Sequence, residues 1–196
     1  MPKRKPDRRA QRTRDRLGSA FLELSLEKPI RDITVQEVLD RSSVGRSTFY
    51  VHFRDKDDLL FSQLEGFLEV TSTMLTKRGE KSDRVMPIAE IFDHIGNQNK
   101  LYRAIFEAGH LEEFYQLAQG YYARGIEQRL RDTGRFTAVP KRELAARAAA
   151  LAGSMISLLR WWLDRGEKES PREMDRIFHS MAWAGVQSLP VSKPKS

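Results

Sequence analysis

Residues 45–53, Gly-Arg-Ser-Thr-Phe-Tyr-Val-His-Phe, concentrate the chain's chemistry in nine positions. Arg46, Ser47, Thr48, Tyr50 and His52 can all hydrogen-bond to phosphates or base edges, and Phe49 and Phe53 are apolar anchors four residues apart. An arginine can fork onto a guanine, and a threonine offers a hydroxyl or a methyl to a base. Tyrosine and histidine suit phosphate contacts, which set register without reading sequence. The same residue types also serve catalysis, so the rest of the chain has to decide. His52, His94, His110 and His179 stand in no H-x-x-x-H or H-E-x-x-H spacing. A metal held by His94, His110 and Asp93 or Glu107 would have to do without thiolates. The chain has no glycine-rich phosphate loop and no G-x-S-x-G nucleophile turn. Glu112 and Glu113 read as the solvated first turn of a helix. No catalytic residue, metal or cofactor is expected.

The 196 residues are 40% hydrophobic and 31% charged, enough apolar side chain to bury a core. With no cysteine, disulfides and thiolate chemistry are excluded, and a reducing cytosol fits. No apolar run approaches the ~20 residues of a membrane span. The basic N-terminus lacks the apolar stretch of a signal peptide. A soluble, cytoplasmic protein is expected. Residues 1–16 hold eight basic side chains against Asp7 and Asp15, which accounts for +6 of the chain's net +7. A basic arm (residues 1–11) on a near-neutral body suits a polyanion, and Arg8, Arg9 and Arg12 are its candidate phosphate contacts. A solubilising tail is the alternative reading. Pro2 and Pro6 keep the start of the arm extended.

These groups must be positioned by helices. Leu17, Phe21 and Leu24, with Ala20 beside them, predict an amphipathic helix over 8–27, ended before Pro29. Thr34 and Glu37 form a capping box flanked by Ile33 and Val38, so a short helix should run from Thr34 to about Arg41. Residues 42–45 make a turn, and residues 45–52 make a second short helix anchored by Phe49 and Phe53. Two short helices behind a longer one form a helix-turn-helix unit, whose second helix lies in the DNA major groove. Arg46, Ser47 and Thr48 then stand at the end that reaches base edges. Tyr50, His52 and Lys56 would meet phosphates.

Residues 33–60 strongly resemble the helix-turn-helix of the tetracycline-repressor (TetR) family of bacterial transcription regulators. Thr34, Val44, Thr48, Phe49, Tyr50, His52, Phe53 and Lys56 match the family pattern, and Ser47 departs from it where glycine is common. The resemblance implies phosphate contacts from Thr34, Tyr50, His52 and Lys56. It implies base or near-base contacts from Gln36, Arg46, Ser47, Thr48 and Val51. It also implies a double-stranded DNA operator, a homodimer and localisation to the bacterial cytoplasm, at the nucleoid when bound. Residues 158–166, LLRWWLDRG, resemble a helix signature of one subgroup.

Beyond the head, longer helices are expected at 56–78, 84–98, 100–109, 111–133 and 141–166, with a last one starting at Ser170 and Pro171. Leu60, Leu64, Phe67 and Leu68 stripe the first of these. The fold class is all-α: a three-helix head over 12–55 and a helical bundle over 56–190, about nine helices in total. Ala149, Gly153 and Ser154 would let another helix approach closely. The last two helices are apolar enough to pair with their copies, or else with each other inside a monomer. Trp161, Trp162, Met174, Ile177, Phe178 and Met181 are the candidate dimer contacts, and Val186 completes the last stripe. The two tryptophans lie about 100° apart, so one should face inward. The family implies an effector pocket, with Met86, Ile91, Phe92, Phe106, Phe114, Tyr115, Tyr121, Tyr122 and Met155 as candidate lining. Its effector would be apolar or aromatic. A dimeric, effector-released repressor is the leading expectation. The alternatives are a protein-interaction adaptor on the same fold and a weakly specific DNA coater working through the arm.

Overall fold

The computed structural model describes residues 8–98, 102, 105, 109, 111–133, 136 and 138–187. Eight α-helices and no strands occur among them: α1 (Arg8–Glu27), α2 (Val35–Ser42), α3 (Arg46–His52), α4 (Lys56–Lys77), α5 (Ile88–Asn97), α6 (Leu111–Asp132), α7 (Lys141–Asp164) and α8 (Pro171–Gln187). A single 3-10 turn, Ile30–Asp32, joins α1 to α2. Most of the expected helix at 100–109 lies outside the described residues. So do the first seven residues of the basic arm, with Pro2 and Pro6, and so do Phe106, Glu107, His110 and the side chain of Val186. The expected arm over 1–11 overlaps α1, since Arg8 to Gln11 are already helical.

The chain divides into two compact units, Met1–Gly66 with Gln98–Phe114, and Phe67–Asn97 with Tyr115–Ser196. The division falls inside α4 and inside α6.

In the first unit, α1 buries Leu17, Ala20, Phe21 and Leu24 on one face. Burying each leucine or phenylalanine contributes roughly 1.5–3 kcal/mol. The helix ends at Glu27, before Pro29, whose ring cannot continue it. In the capping box of α2, the Thr34 hydroxyl accepts from the Glu37 N–H, and the Glu37 carboxylate accepts from the Thr34 N–H at 2.9 Å. Ile33 and Val38 are both buried beside it. Ser43 ends α2 in the left-handed region at φ 52°, and its N–H and that of Val44 both reach Leu39 O. Phe49 and Phe53 are 0% and 3% exposed, which fixes α3 to this core.

In the second unit, α4 stops with Gly79 at φ +62° and a Glu80 N–H to Leu75 O bond of 3.0 Å, a Schellman-type end. Helix α5 starts later than the periodicity suggested, because the segment before Pro87 is pinned by side chains instead. The Val85 N–H donates to His179 Nε2 at 3.1 Å, and Arg129 donates to Arg84 O and Ser82 O. Helix α8 packs on α5 and α7. It begins as expected, with the Ser170 hydroxyl accepting from the Glu173 N–H at 3.2 Å. Helices α4 and α6 meet backbone to backbone: a Cβ added at Gly125 would lie 2.2 Å from Ser72 O.

Candidate nucleic-acid interface

Helix α3 presents one buried and one open side. Arg46, Ser47, Thr48, Tyr50 and Val51 are exposed, and Val51, an apolar residue, is 78% exposed. Tyr50 is 51% exposed, with its ring edge-on to Phe49 at 5.3 Å. His52 is half-buried against the Phe53 ring. Gly45 occupies the N-cap position of α3 without a capping side chain, so the first N–H groups of the helix keep no side-chain acceptor there. Arg8 and Arg12 are exposed on α1.

Two expected phosphate ligands are committed elsewhere. The Lys56 ammonium donates to Ile30 O at 2.9 Å, Arg31 O at 2.8 Å and Ile33 O at 3.0 Å. An ammonium has three donors, and all three are taken. Lys56 therefore caps the carbonyl end of the 3-10 turn, where a cation is favoured. Thr34 spends its hydroxyl proton on Glu37 Oε2 at 2.8 Å and its N–H on the same oxygen. It has no donor left for a phosphate. The Glu37 carboxyl is pushed down to about 2, foremost by the hydrogen bond from Lys28 and then by the two from Thr34.

Gln36 and Arg46, both expected at bases, are joined: Arg46 Nη2 donates to Gln36 Oε1 at 2.7 Å. Gln36 Nε2 in turn donates to Asp40 Oδ1 at 2.8 Å. The sequence reading missed Asp40, although its four-residue spacing from Gln36 on a helix was visible. It also missed Arg16, which donates to Ser42 O at 2.5 Å and so closes the carbonyl end of α2. Nothing in the spacing of residues 26 apart signals that bond.

The expected dimer set divides. Trp162, Met174 and Phe178 are 2%, 0% and 0% exposed, so they belong to the protomer's own core and not to a second copy. Trp162 lies 4.9 Å from Phe92 and donates from Nε1 to Glu169 O at 2.9 Å. Trp161 and Met181 are 39% and 49% exposed, and Ile177 is half-buried.

The candidate pocket lining is also mostly core. Met86, Ile91, Phe92, Tyr122 and Met155 are buried among packed helices of the second unit, Tyr115 is buried there too and Tyr121 is half-buried. Phe114 belongs to the first unit, where its ring meets Tyr102. The Tyr122 hydroxyl lies 3.4 Å from Thr71 Oγ1, and burial raises its pKa. A groove of about 310 Å³ in the second unit takes only Phe92 from the expected lining; Trp162, Gly96, Asp93 and Glu167 form much of the rest.

His94 stacks on Phe67 at 4.4 Å, and burial lowers its pKa. Among the described residues no group of three or more His, Asp or Glu could hold a metal. Among them also, no helix is long and apolar enough to cross a membrane.

A family model for bacterial regulatory proteins of the tetR family matches residues 19–62, and one for a transcriptional regulator C-terminal region matches residues 87–183. The chain belongs to the TetR family of transcriptional regulators, a family of regulators and not of enzymes. It is 38% identical over 60 residues to the uncharacterised helix-turn-helix regulator YxbF of Bacillus subtilis, a match that spans 30% of this chain and 16% of that protein. Its fold is similar to that of DhaS, a dihydroxyacetone kinase operon activator, with a TM-score of 0.67 at 15% identity over 89% of this chain and 96% of that one. It is also similar to RolR in complex with resorcinol, with a TM-score of 0.56 at 20% identity over 95% and 98%.

Proposed function

We infer that this chain is a sequence-specific regulator that binds a palindromic DNA operator as a homodimer in the bacterial cytoplasm, represses transcription, and is released by a small apolar or aromatic effector. The observation that carries the reading is α3: seven residues pinned by Phe49 and Phe53, with Arg46, Ser47, Thr48 and Val51 left open along one side. Arg46, Ser47, Thr48 and Val51 are assigned to base edges with Gln36 beside them. Tyr50, His52, Arg8, Arg9 and Arg12 are assigned to phosphates.

Support for a dimer comes from α7 and α8. Ala146, Ala150, Ser157 and Trp161 are exposed on α7, and Met181 and Ala184 are exposed on α8 near half-buried Ile177. Small side chains let helices approach closely, and one tryptophan and one methionine supply apolar area to cover. A two-fold pair would offer two copies of α3 to half-sites about 34–36 Å apart. The effector assignment leans on RolR, which holds resorcinol on the same fold. Trp161, Trp162 and Leu163 are read as a subgroup marker inside the matched C-terminal region.

Selection of bound sequences from a random DNA pool at ~150 mM salt tests the reading, since screening weakens non-specific phosphate attraction there. A palindrome should be enriched. Arg46→Ala should relax discrimination at one base pair in each half-site, costing ~1–3 kcal/mol. Enrichment of no sequence would leave the adaptor or the non-specific coater in its place.

A further inference from the structure

The geometry points to Asp40 as a specificity-determining positioning residue, which acts through Gln36 to set the direction in which Arg46 meets DNA. The inference rests on the proposed reading of Arg46 as a base contact. Three exposed side chains on two helices form one chain of hydrogen bonds, Arg46 Nη2 to Gln36 Oε1 at 2.7 Å and Gln36 Nε2 to Asp40 Oδ1 at 2.8 Å.

The order of this chain follows from chemistry alone. A guanidinium only donates and a carboxylate only accepts. An amide between them has one satisfying orientation, with its oxygen toward the arginine and its nitrogen toward the aspartate. An amide's two ends are otherwise hard to tell apart, but here the flanking charges fix the choice. Asp40 thus removes the flipped amide, which would turn two N–H donors against the five of Arg46. With Gln36 locked, one N–H of Arg46 is held by helix α2 and the rest of the fork stays available. A bidentate contact to a guanine needs a fork held in place, because a freely rotating arginine gives up its side-chain entropy on binding.

The bond from Gln36 to Asp40 lies within α2, at a four-residue spacing whose ends stand on one face. The bond from Arg46 crosses the turn between α2 and α3. The turn is itself tightened by the left-handed Ser43 and by Arg16 on Ser42 O. Asp40 therefore acts at a distance from any base, through a rigid corner.

Removing a carboxylate near DNA has a second effect that must be separated. It strengthens binding to every sequence alike, because one repulsion of phosphate is lost. A relay changes preference at one position only. The test is selection from a random DNA pool with the full-length chain, run for the unsubstituted protein and for Asp40→Ala, Asp40→Asn, Arg46→Ala and the Asp40→Ala/Arg46→Ala pair. Asp40→Ala should reduce preference at the position that Arg46→Ala identifies by roughly fivefold, the net worth of one typical hydrogen bond lost at an exposed site. Asp40→Asn should restore only part of it, since its amide oxygen still accepts from Gln36 but its amide nitrogen also satisfies the flipped orientation. The double variant should match Arg46→Ala alone.

If Asp40→Ala raises affinity uniformly while preference at the Arg46 position holds, the relay is overturned and the reading of the head survives. If Asp40→Ala relaxes preference equally in the Arg46→Ala background, Asp40 acts by another route and the relay is again overturned. If the unsubstituted chain enriches nothing, the head is no base reader and the relay falls with it.

Discussion

Lys56 shows how one side chain's duties follow from counting donors. Its ammonium meets three carbonyls at 2.8–3.0 Å around the 3-10 turn. Replacing it by methionine keeps the stem and removes the charge, leaving those carbonyls to find water. We expect Lys56→Met to lower stability by about 1–3 kcal/mol, read as a lower thermal midpoint of the purified protein. A residue serving mainly as a phosphate ligand would leave the midpoint in place and flatten only the salt dependence of DNA binding. Arg12→Ala should behave in that second way, reducing the salt slope by about 1 with little change in stability. Both residues are basic and near the head, and only their hydrogen-bond partners separate them.

The short helix α2 carries two tests of local structure. Ser43 ends it at φ 52°, a conformation that costs an L-residue roughly 1 kcal/mol and a glycine almost nothing. Ser43→Gly relieves that strain but raises unfolded-chain entropy, so a net gain of roughly 0.5 kcal/mol at most is expected, measured by denaturant unfolding. At the other end, the Glu37 carboxyl is pushed down from its ordinary 4.5 to about 2, foremost by the hydrogen bond from Lys28 and then by those from Thr34. A depressed carboxyl stabilises the folded state above its unfolded value. That contribution is complete above about pH 4.5 and drains away as pH falls toward about 2. The gap in thermal midpoint between the natural chain and Glu37→Gln should shrink across that window. A gap that stays constant from pH 6 to pH 2.5 would show that the carboxylate's charge contributes nothing to the cap.

In the second unit, neighbouring tryptophans have opposite fates. Trp162 is 2% exposed against Phe92, and Trp161 is 39% exposed. Trp162→Ala should cost about 3–5 kcal/mol from the cavity it opens. Trp161→Glu with Met181→Glu should leave the protomer folded by circular dichroism and shift it from dimer to monomer in sedimentation. If the dimer survives that pair, the proposed face is not where copies meet. Gly125→Ala offers a sharper probe of packing. Its Cβ would press on Ser72 O, which is backbone and cannot swing aside, so a loss of about 1–3 kcal/mol is expected.

Local signals were enough for the all-helical class, the capping box at Thr34 and Glu37, the proline-marked start of α8 and the anchoring of α3 by Phe49 and Phe53. Each of these is set by residues within four positions of one another, a range over which helical spacing dictates who meets whom. Which basic groups are free and which are spent was settled only by tertiary structure. Lys56 reaches carbonyls 23 to 26 residues away, Arg46 reaches Gln36 across a turn, and Trp162, Met174 and Phe178 turn inward because α8 lies on α5 and α7. An apolar stripe marks the face a helix will bury, but a stripe is the same whether its cover comes from the same chain or from a second copy. Only the placement of the neighbouring helices decides between the two.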